Sequence, residues 1–108
     1  MKAEDLKRNA LAVTAGINHA MQTDKTGETY GYIMECLGRF FAGDFGDVPE
    51  EDAEANRAEL TRGEGRALAR YPARKNLAGA IYIQAYFSTA EPGDLERNNT
   101  LVMYCDDY

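Results

Sequence analysis

Strict alternation of apolar and polar side chains in the last third of the chain most constrains how this sequence can fold. In the segment 80–88, apolar residues occupy every second position, and two tyrosines and a glutamine stand between them. A period of two places alternate side chains on opposite faces of a β-strand. The segments 66–71 and 100–105 alternate in the same way, and turn residues separate all three. The pattern predicts three strands that pair as an antiparallel meander.

The middle of the chain has a helical period instead. Apolar residues recur at intervals of three and four and predict one helix with a single buried stripe, formed by Tyr30, Ile33, Leu37, Phe40 and Phe41. Gly43 can adopt the left-handed conformation that ends such a helix. Asp47 and Glu50 then stand at the spacing of a capping box. We therefore expect a second helix over 48–61, capped by Asp47 and peripheral because its apolar face is thin.

The sequence pattern of the first 29 residues specifies their secondary structure less clearly. Residues 10–13 fit a short strand or the middle of a first helix; a strand is favoured, followed by a helix over 15–22 that Thr14 caps. Residues 1–9 are charged and are expected to be frayed or helical. A chain of 108 residues has the usual length of one domain. The expected fold is a single α+β domain, 1–108, with a three- or four-stranded antiparallel sheet and two or three helices on one face.

Charge and composition narrow the classes of function. The chain has 18 acidic and 12 basic residues and a net charge of −6, which disfavours direct binding of nucleic acid, since such binding depends on neutralising phosphates. No apolar run approaches the roughly 20 residues of a membrane span, and the first residues lack the apolar run of a signal peptide. A cytoplasmic protein without a membrane partner is expected. Cys36 and Cys105 form no CxxC motif, so a reduced pair is expected.

The segment Gly43-Asp44-Phe45-Gly46-Asp47 lies within a longer pattern that extends from residue 10 to residue 108. This pattern resembles a family of small bacterial proteins described as plasmid-related, which carry a Gly-Asp-Trp-Gly-Asp signature. Phenylalanine stands here in place of the tryptophan of that signature. The resemblance implies a mobile-element setting, without a mechanism, and an extended conformation for residues 10–13.

The same segment contains the only candidate metal ligands. Asp44 and Asp47, three residues apart between glycines, are oxygen ligands of the type that divalent cations prefer, but the five or more ligands of a calcium loop are missing. The simpler interpretation is that the glycines form turns and Phe45 lies in the core. We therefore expect no metal and no cofactor. His19, the only histidine, is expected at the surface, and no catalytic residue is assigned because no nucleophile–base signature occurs.

Two surfaces are candidate partner-binding sites. Eight carboxylates and two arginines lie between residues 44 and 64, and the acidic candidates are Asp44, Asp47, Glu50, Glu51 and Glu54. Such carboxylates can imitate phosphates and occupy a basic groove on another protein. Tyr82, Tyr86 and Tyr104 are expected on one sheet face with Gln84, left open if the helices cover the other face. Aromatic side chains in that position pack, bind proteins or stack on RNA bases.

These observations favour binding over catalysis. The functional hypothesis is a non-enzymatic acidic protein of a mobile genetic element or phage, which inhibits a host defence nuclease of the CRISPR or restriction kind by protein–protein contact. One alternative is a small metal-dependent enzyme that uses Asp44 and Asp47. Another is a homo-oligomer, such as a dimer, whose tyrosine face is the subunit interface.

Overall fold

A four-stranded mixed sheet with helices packed against one face forms the framework of the computed structural model, which describes residues 1–108. The α-helices are α1 (Ala15–Thr23), α2 (Glu28–Phe41) and α3 (Glu50–Arg62). The strands are β1 (Ala10–Val13), β2 (Glu64–Tyr71), β3 (Ile81–Ser88) and β4 (Asn99–Tyr104). Two short 3-10 helices span Ala3–Arg8 and Cys105–Asp107. The α+β class is confirmed.

The sheet has the order β1-β4-β3-β2. β2, β3 and β4 pair as the expected antiparallel meander, and the favoured strand at 10–13 is present. The expectation of a wholly antiparallel sheet is wrong, because β1 pairs with β4 in parallel. The three helices between β1 and β2 return the chain to the end of the sheet where β1 began. β2, and with it β4, therefore runs in the direction of β1.

The alternation in β3 divides the two faces of the sheet as predicted. Its apolar residues face the helices and are fully buried: Ile81, Ile83, Ala85 and Phe87. Tyr82, Gln84 and Tyr86 point to the opposite face. Direct cross-strand partners share a face, so Ala85 and Ala67 of β2 meet on the helix side. One cluster of 20 buried residues, drawn from the helices and this face, forms the core.

The buried stripe of α2 is rotated from the one that the sequence suggested. Ile33, Leu37 and Phe40 are buried as expected, but Tyr30 is 57% exposed and Tyr32 takes its place in the core. The stripe follows rows of i and i+4 positions, which also include Cys36. Tyr30 belongs to a neighbouring row that faces solvent.

The start of α2 depends on Asp24, which the sequence did not single out. One carboxylate oxygen accepts hydrogen bonds from the N–H and hydroxyl of Thr26, and the other accepts the same pair from Thr29. Hydrogen bonds from these hydroxyls hold the pKa of Asp24 well below its usual range. Thr26 and Thr29 thus both donate to Asp24 at the start of the helix.

The N-terminal residues are attached to the core. Leu6, in the first 3-10 helix, is 1% exposed and belongs to the core cluster, so Ala3–Arg8 are helical and are not frayed. None of the helices has both the length and the apolar character needed to cross a membrane.

Candidate partner-binding surfaces

The segment Gly43–Asp47 forms a loop that pairs with the outer edge of β2. Gly43 ends α2 with φ 84°, as predicted, and Gly46 forms a parallel bridge with Arg70. The N–H of Arg70 donates to the carbonyl of Phe45 at 3.1 Å, and the N–H of Asp47 donates to the carbonyl of Arg70 at 2.7 Å. A Cβ at Gly46 would collide with that carbonyl, and φ is 71°, so the position requires glycine.

Asp44 stabilises this loop. Its carboxylate accepts hydrogen bonds from Nε of Arg39 at 2.7 Å and from the N–H of Gly46 at 3.0 Å. The Arg39 hydrogen bond is the main reason that the pKa of Asp44 is lowered. The carbonyl of the same residue accepts the hydroxyl of the buried Tyr71 at 2.7 Å. Phe45, next in the chain, lies in the core as expected.

Asp47 does not cap α3, and that prediction is wrong. The helix begins at Glu50 with Pro49 at the N-cap position and no side-chain cap. Because the main chain of the loop is engaged with Arg70, Asp47 lies too early to reach the first turn, and its carboxylate instead pairs with the Arg70 guanidinium at 3.0 Å. Asp44 and Asp47 are thus held by different arginines. No group of three or more His, Cys, Asp or Glu side chains is placed to hold a metal ion.

Asn56 anchors α3 to the edge of β2. Its amide nitrogen donates to the carbonyl of Leu68 at 2.8 Å, and its amide oxygen accepts the N–H of Leu68 at 3.1 Å. The side chain therefore replaces a neighbouring strand at this position, and it is only 6% exposed. The sequence could have indicated this role, because Asn56 is a polar residue three positions after Ala53 and four before Leu60, and so lies within the apolar face of the helix.

The acidic side chains of α3 are in two electrostatic states. Glu50 pairs with Arg57, and Glu59 pairs with Arg62. In contrast, three exposed carboxylates of the same helix form no ion pair: Glu51, Asp52 and Glu54. Acidic residues in the first turn also stabilise the helix by interacting with its dipole. The unpaired negative charge is therefore concentrated in the first half of α3.

The open face of the sheet presents tyrosines next to arginines. Tyr82 lies directly opposite Arg70 across the β2–β3 pair, and Tyr86 lies opposite Arg66. Tyr86 is 40% exposed. Tyr108 covers part of the face: its ring contacts Tyr82 edge-on at 5.3 Å, and the Arg66 guanidinium lies 5.6 Å from its centroid. The sequence did not predict these arginines beside the tyrosines. Which residues face each other depends on the β2–β3 register, which no local pattern specifies.

Tyr104 does not belong to this face, and the prediction that groups it with Tyr82 and Tyr86 is wrong. It pairs with Ile81 of β3, whose side chain points to the helices. A Cβ at Gly16 of α1 would lie 3.2 Å from the Tyr104 ring, which places the ring beneath α1. The hydroxyl accepts the N–H of Ala78 at 3.2 Å. Tyr104 is therefore a packing residue on the covered side of the sheet.

The remaining candidates are isolated from one another. His19 is exposed on α1, as expected. Cys36 is buried and Cys105 partly exposed, and both are free thiols. Burial raises the pKa of the Cys36 thiol, which suits the structural role that the sequence suggested.

No protein-family model, curated protein or solved structure matches the chain. The resemblance through Gly43–Asp47 therefore stays a prediction.

Proposed function

We propose that this protein acts by binding a second protein that has a basic groove, and that the outer face of α3 is the contact surface. The observation that carries the proposal is the pair of exposed carboxylates on this face that have no counter-charge, Glu51 and Glu54. The neighbouring acidic residues that are neutralised by arginines contribute less to such a surface. Asp44 and Asp47, in particular, are occupied in holding the loop to the rest of the fold.

The position of α3 favours this use. Its inner face is fixed to β2 through Asn56 and the buried Ala53 and Leu60, which leaves the opposite face free. Residues three apart on a helix have Cβ atoms about 5–6 Å apart, so Glu51 and Glu54 form one patch. Charges on a rigid helix require little ordering when a partner binds, which improves affinity.

The partner that fits best is a protein whose groove binds nucleic acid. Such a groove is positively charged, and a row of carboxylates can take the place of phosphates. The mobile-element setting implied by the family resemblance narrows this class to a nuclease of host defence, of the CRISPR or restriction kind. The protein then acts as a stoichiometric, non-enzymatic inhibitor.

Plasmid cleavage by purified restriction and CRISPR nucleases tests the proposal. Inhibition should reach completion near one equivalent of the protein for a susceptible nuclease. The variant Glu51→Gln/Glu54→Gln should have an inhibition constant about tenfold higher, because two charges contributing about 0.5–1 kcal/mol each are lost. The control Glu35→Gln/Asp106→Asn removes two exposed charges elsewhere and should inhibit like the wild type. Equal loss in both variants, or no inhibition of any nuclease, contradicts the proposal.

The open face of the sheet supports a second candidate contact surface. Tyr82, Tyr86 and Arg66 are of the residue types most enriched at protein interfaces, and only Tyr108 covers part of them. Binding through this face depends on apolar contact and therefore resists salt. Tyr86→Ala should then weaken a complex at both low and high salt, whereas Glu51→Gln/Glu54→Gln should leave it unchanged. The same face is the subunit interface in the homo-oligomer alternative.

A further inference from the structure

The two edges of the sheet differ in how their main-chain groups are satisfied. The edge at β2 is covered by Asn56 and by the loop 45–47. The edge at β1 has no such cover, since β1 pairs only with β4. An unpaired strand edge is a template for another strand.

The register of β1 identifies which groups are free. Val13 pairs with Val102, and the N–H of Thr14 donates to the carbonyl of Val102 at 3.0 Å. In a parallel ladder this means that the main chains of Ala12 and Thr14 face β4. The N–H and C=O groups of Leu11 and Val13 therefore point away from the sheet, and no loop or side chain hydrogen-bonds to them.

The surface around this edge lacks charge. Residues 10–23 contain no Lys, Arg, Asp or Glu, although 28% of the chain is charged. Most of the segment is nevertheless exposed, including Leu11 at 50% and, on α1, Asn18 and His19. Depletion of charge marks the centres of protein interfaces. Two copies of a chain with net charge −6 also repel least where they present no carboxylates.

We propose that β1 pairs with β1 of a second copy, antiparallel and about a two-fold axis, so that the two sheets become one of eight strands. The register that satisfies every free group places Leu11 opposite Val13 of the partner subunit and Ala12 at the axis, which gives four hydrogen bonds. A register with Leu11 at the axis would need the N–H of Asn9, which already donates to the carbonyl of Leu6. In the first register, the side chains of Leu11 and the partner's Val13 also meet on the helix side of the sheet.

This dimer is compatible with the proposed function and independent of it. α3 lies at the opposite edge, beside β2, so both acidic faces stay exposed in the dimer. A two-fold dimer with two acidic faces can engage two partner grooves at once.

Disulfide trapping tests the register. Ala12→Cys, in a Cys105→Ser background, places two thiols in a non-hydrogen-bonded pair with Cα atoms about 4.5 Å apart, which is within disulfide range. The matched control is Ala10→Cys, another exposed alanine of β1, whose copies would be about 13 Å apart in this register. Mild oxidation at micromolar concentration should give a covalent dimer for the first variant only. Equal cross-linking of the two variants, or none, overturns the proposal.

Sedimentation equilibrium provides the second measurement, without a cysteine variant. The wild type should be dimeric, and Leu11→Lys should be monomeric with an unchanged circular dichroism spectrum, because Leu11 is half exposed in the single chain. Met34→Lys, at an exposed position on α2, should stay dimeric. A monomeric wild type, or a dimer that Leu11→Lys does not dissociate, shows that β1 is not the interface.

Discussion

Replacement of Asn56 by alanine should destabilise the fold far more than is usual for a polar residue on a peripheral helix. The change removes the two hydrogen bonds to Leu68, of 2.8 and 3.1 Å, and leaves the N–H and C=O of Leu68 without partners. These groups lie in a crevice between α3 and β2 that is lined by Val48 and Glu59, among others.

The expected magnitude follows from the two lost bonds. Removing one partner of a hydrogen bond so that a buried group is left unpaired costs about 1–3 kcal/mol for each of the two groups. Partial access of water to the crevice keeps the penalty near the lower end of that range. The better helix propensity of alanine offsets roughly 0.5 kcal/mol. The net loss is about 2–3 kcal/mol, which lowers the Tm of a domain of this size by roughly 10–20 °C.

Thermal and urea unfolding, followed by circular dichroism, measure this loss. Asn18→Ala is the matched control, because Asn18 is exposed on α1 and its side chain hydrogen-bonds only to Gln22, at 3.4 Å. Its Tm should be unchanged or slightly raised. Hydrogen exchange should also show the Leu68 amide protected in the wild type and exposed in Asn56→Ala. A Tm for Asn56→Ala within about 2 °C of the wild type would refute the anchoring role of this side chain.

Three further predictions concern stability. Gly46→Ala should lower the free energy of unfolding, measured in urea, by about 2–4 kcal/mol, because the positive φ and a clash with Arg70 both oppose a side chain. Gly43→Ala is the control: it has a positive φ but open space around it, and it should lose only about 1 kcal/mol. Because the pKa of Asp24 is lowered in the fold, its contribution to stability is complete above about pH 4 and is lost as the pH falls below that. Asp24→Asn should therefore reduce the fall in Tm that the wild type shows at acid pH. An unchanged fall in Tm would contradict this. Burial raises the pKa of Tyr32 to about 12, so the stability that it contributes is complete below about pH 10 and is lost between pH 10 and 12. Tyr32→Phe should therefore reduce the fall in Tm over this pH range. An identical fall in Tm would show that Tyr32 does not titrate there.

The sequence predicted the parts of the fold that depend on local periodicity. Alternation over Ile81–Phe87 is a property of one strand, and it correctly identified the buried face of β3. The parallel pairing of Val13 with Val102 joins residues almost 90 positions apart, and no local pattern specifies its direction. Tyr104 was assigned to the wrong face for the same reason, since its face depends on the register with Ile81.

The candidate site was predicted in outline and corrected in detail. The spacing of Asp47 and Glu50 is typical of a helix start, but pairing of the loop with Arg70 outweighs that local preference. The acidic character of α3 could be read from the sequence. Which carboxylates stay unpaired could not, because the ion pair between Glu50 and Arg57 depends on the side-chain geometry of the folded helix.

The rate of association with a partner tests the role of the acidic face of α3 most directly. A partner captured from a bacterial lysate would be measured by stopped flow at 50 and 300 mM salt with the wild type, Glu51→Gln/Glu54→Gln, and the control Glu35→Gln/Asp106→Asn. Because contacts between opposite charges steer association and salt screens them, the wild-type and control rates should fall steeply with salt. The α3 variant should associate more slowly at low salt and show a weaker salt dependence. Equal rates for all three proteins at both salt concentrations would contradict binding through α3.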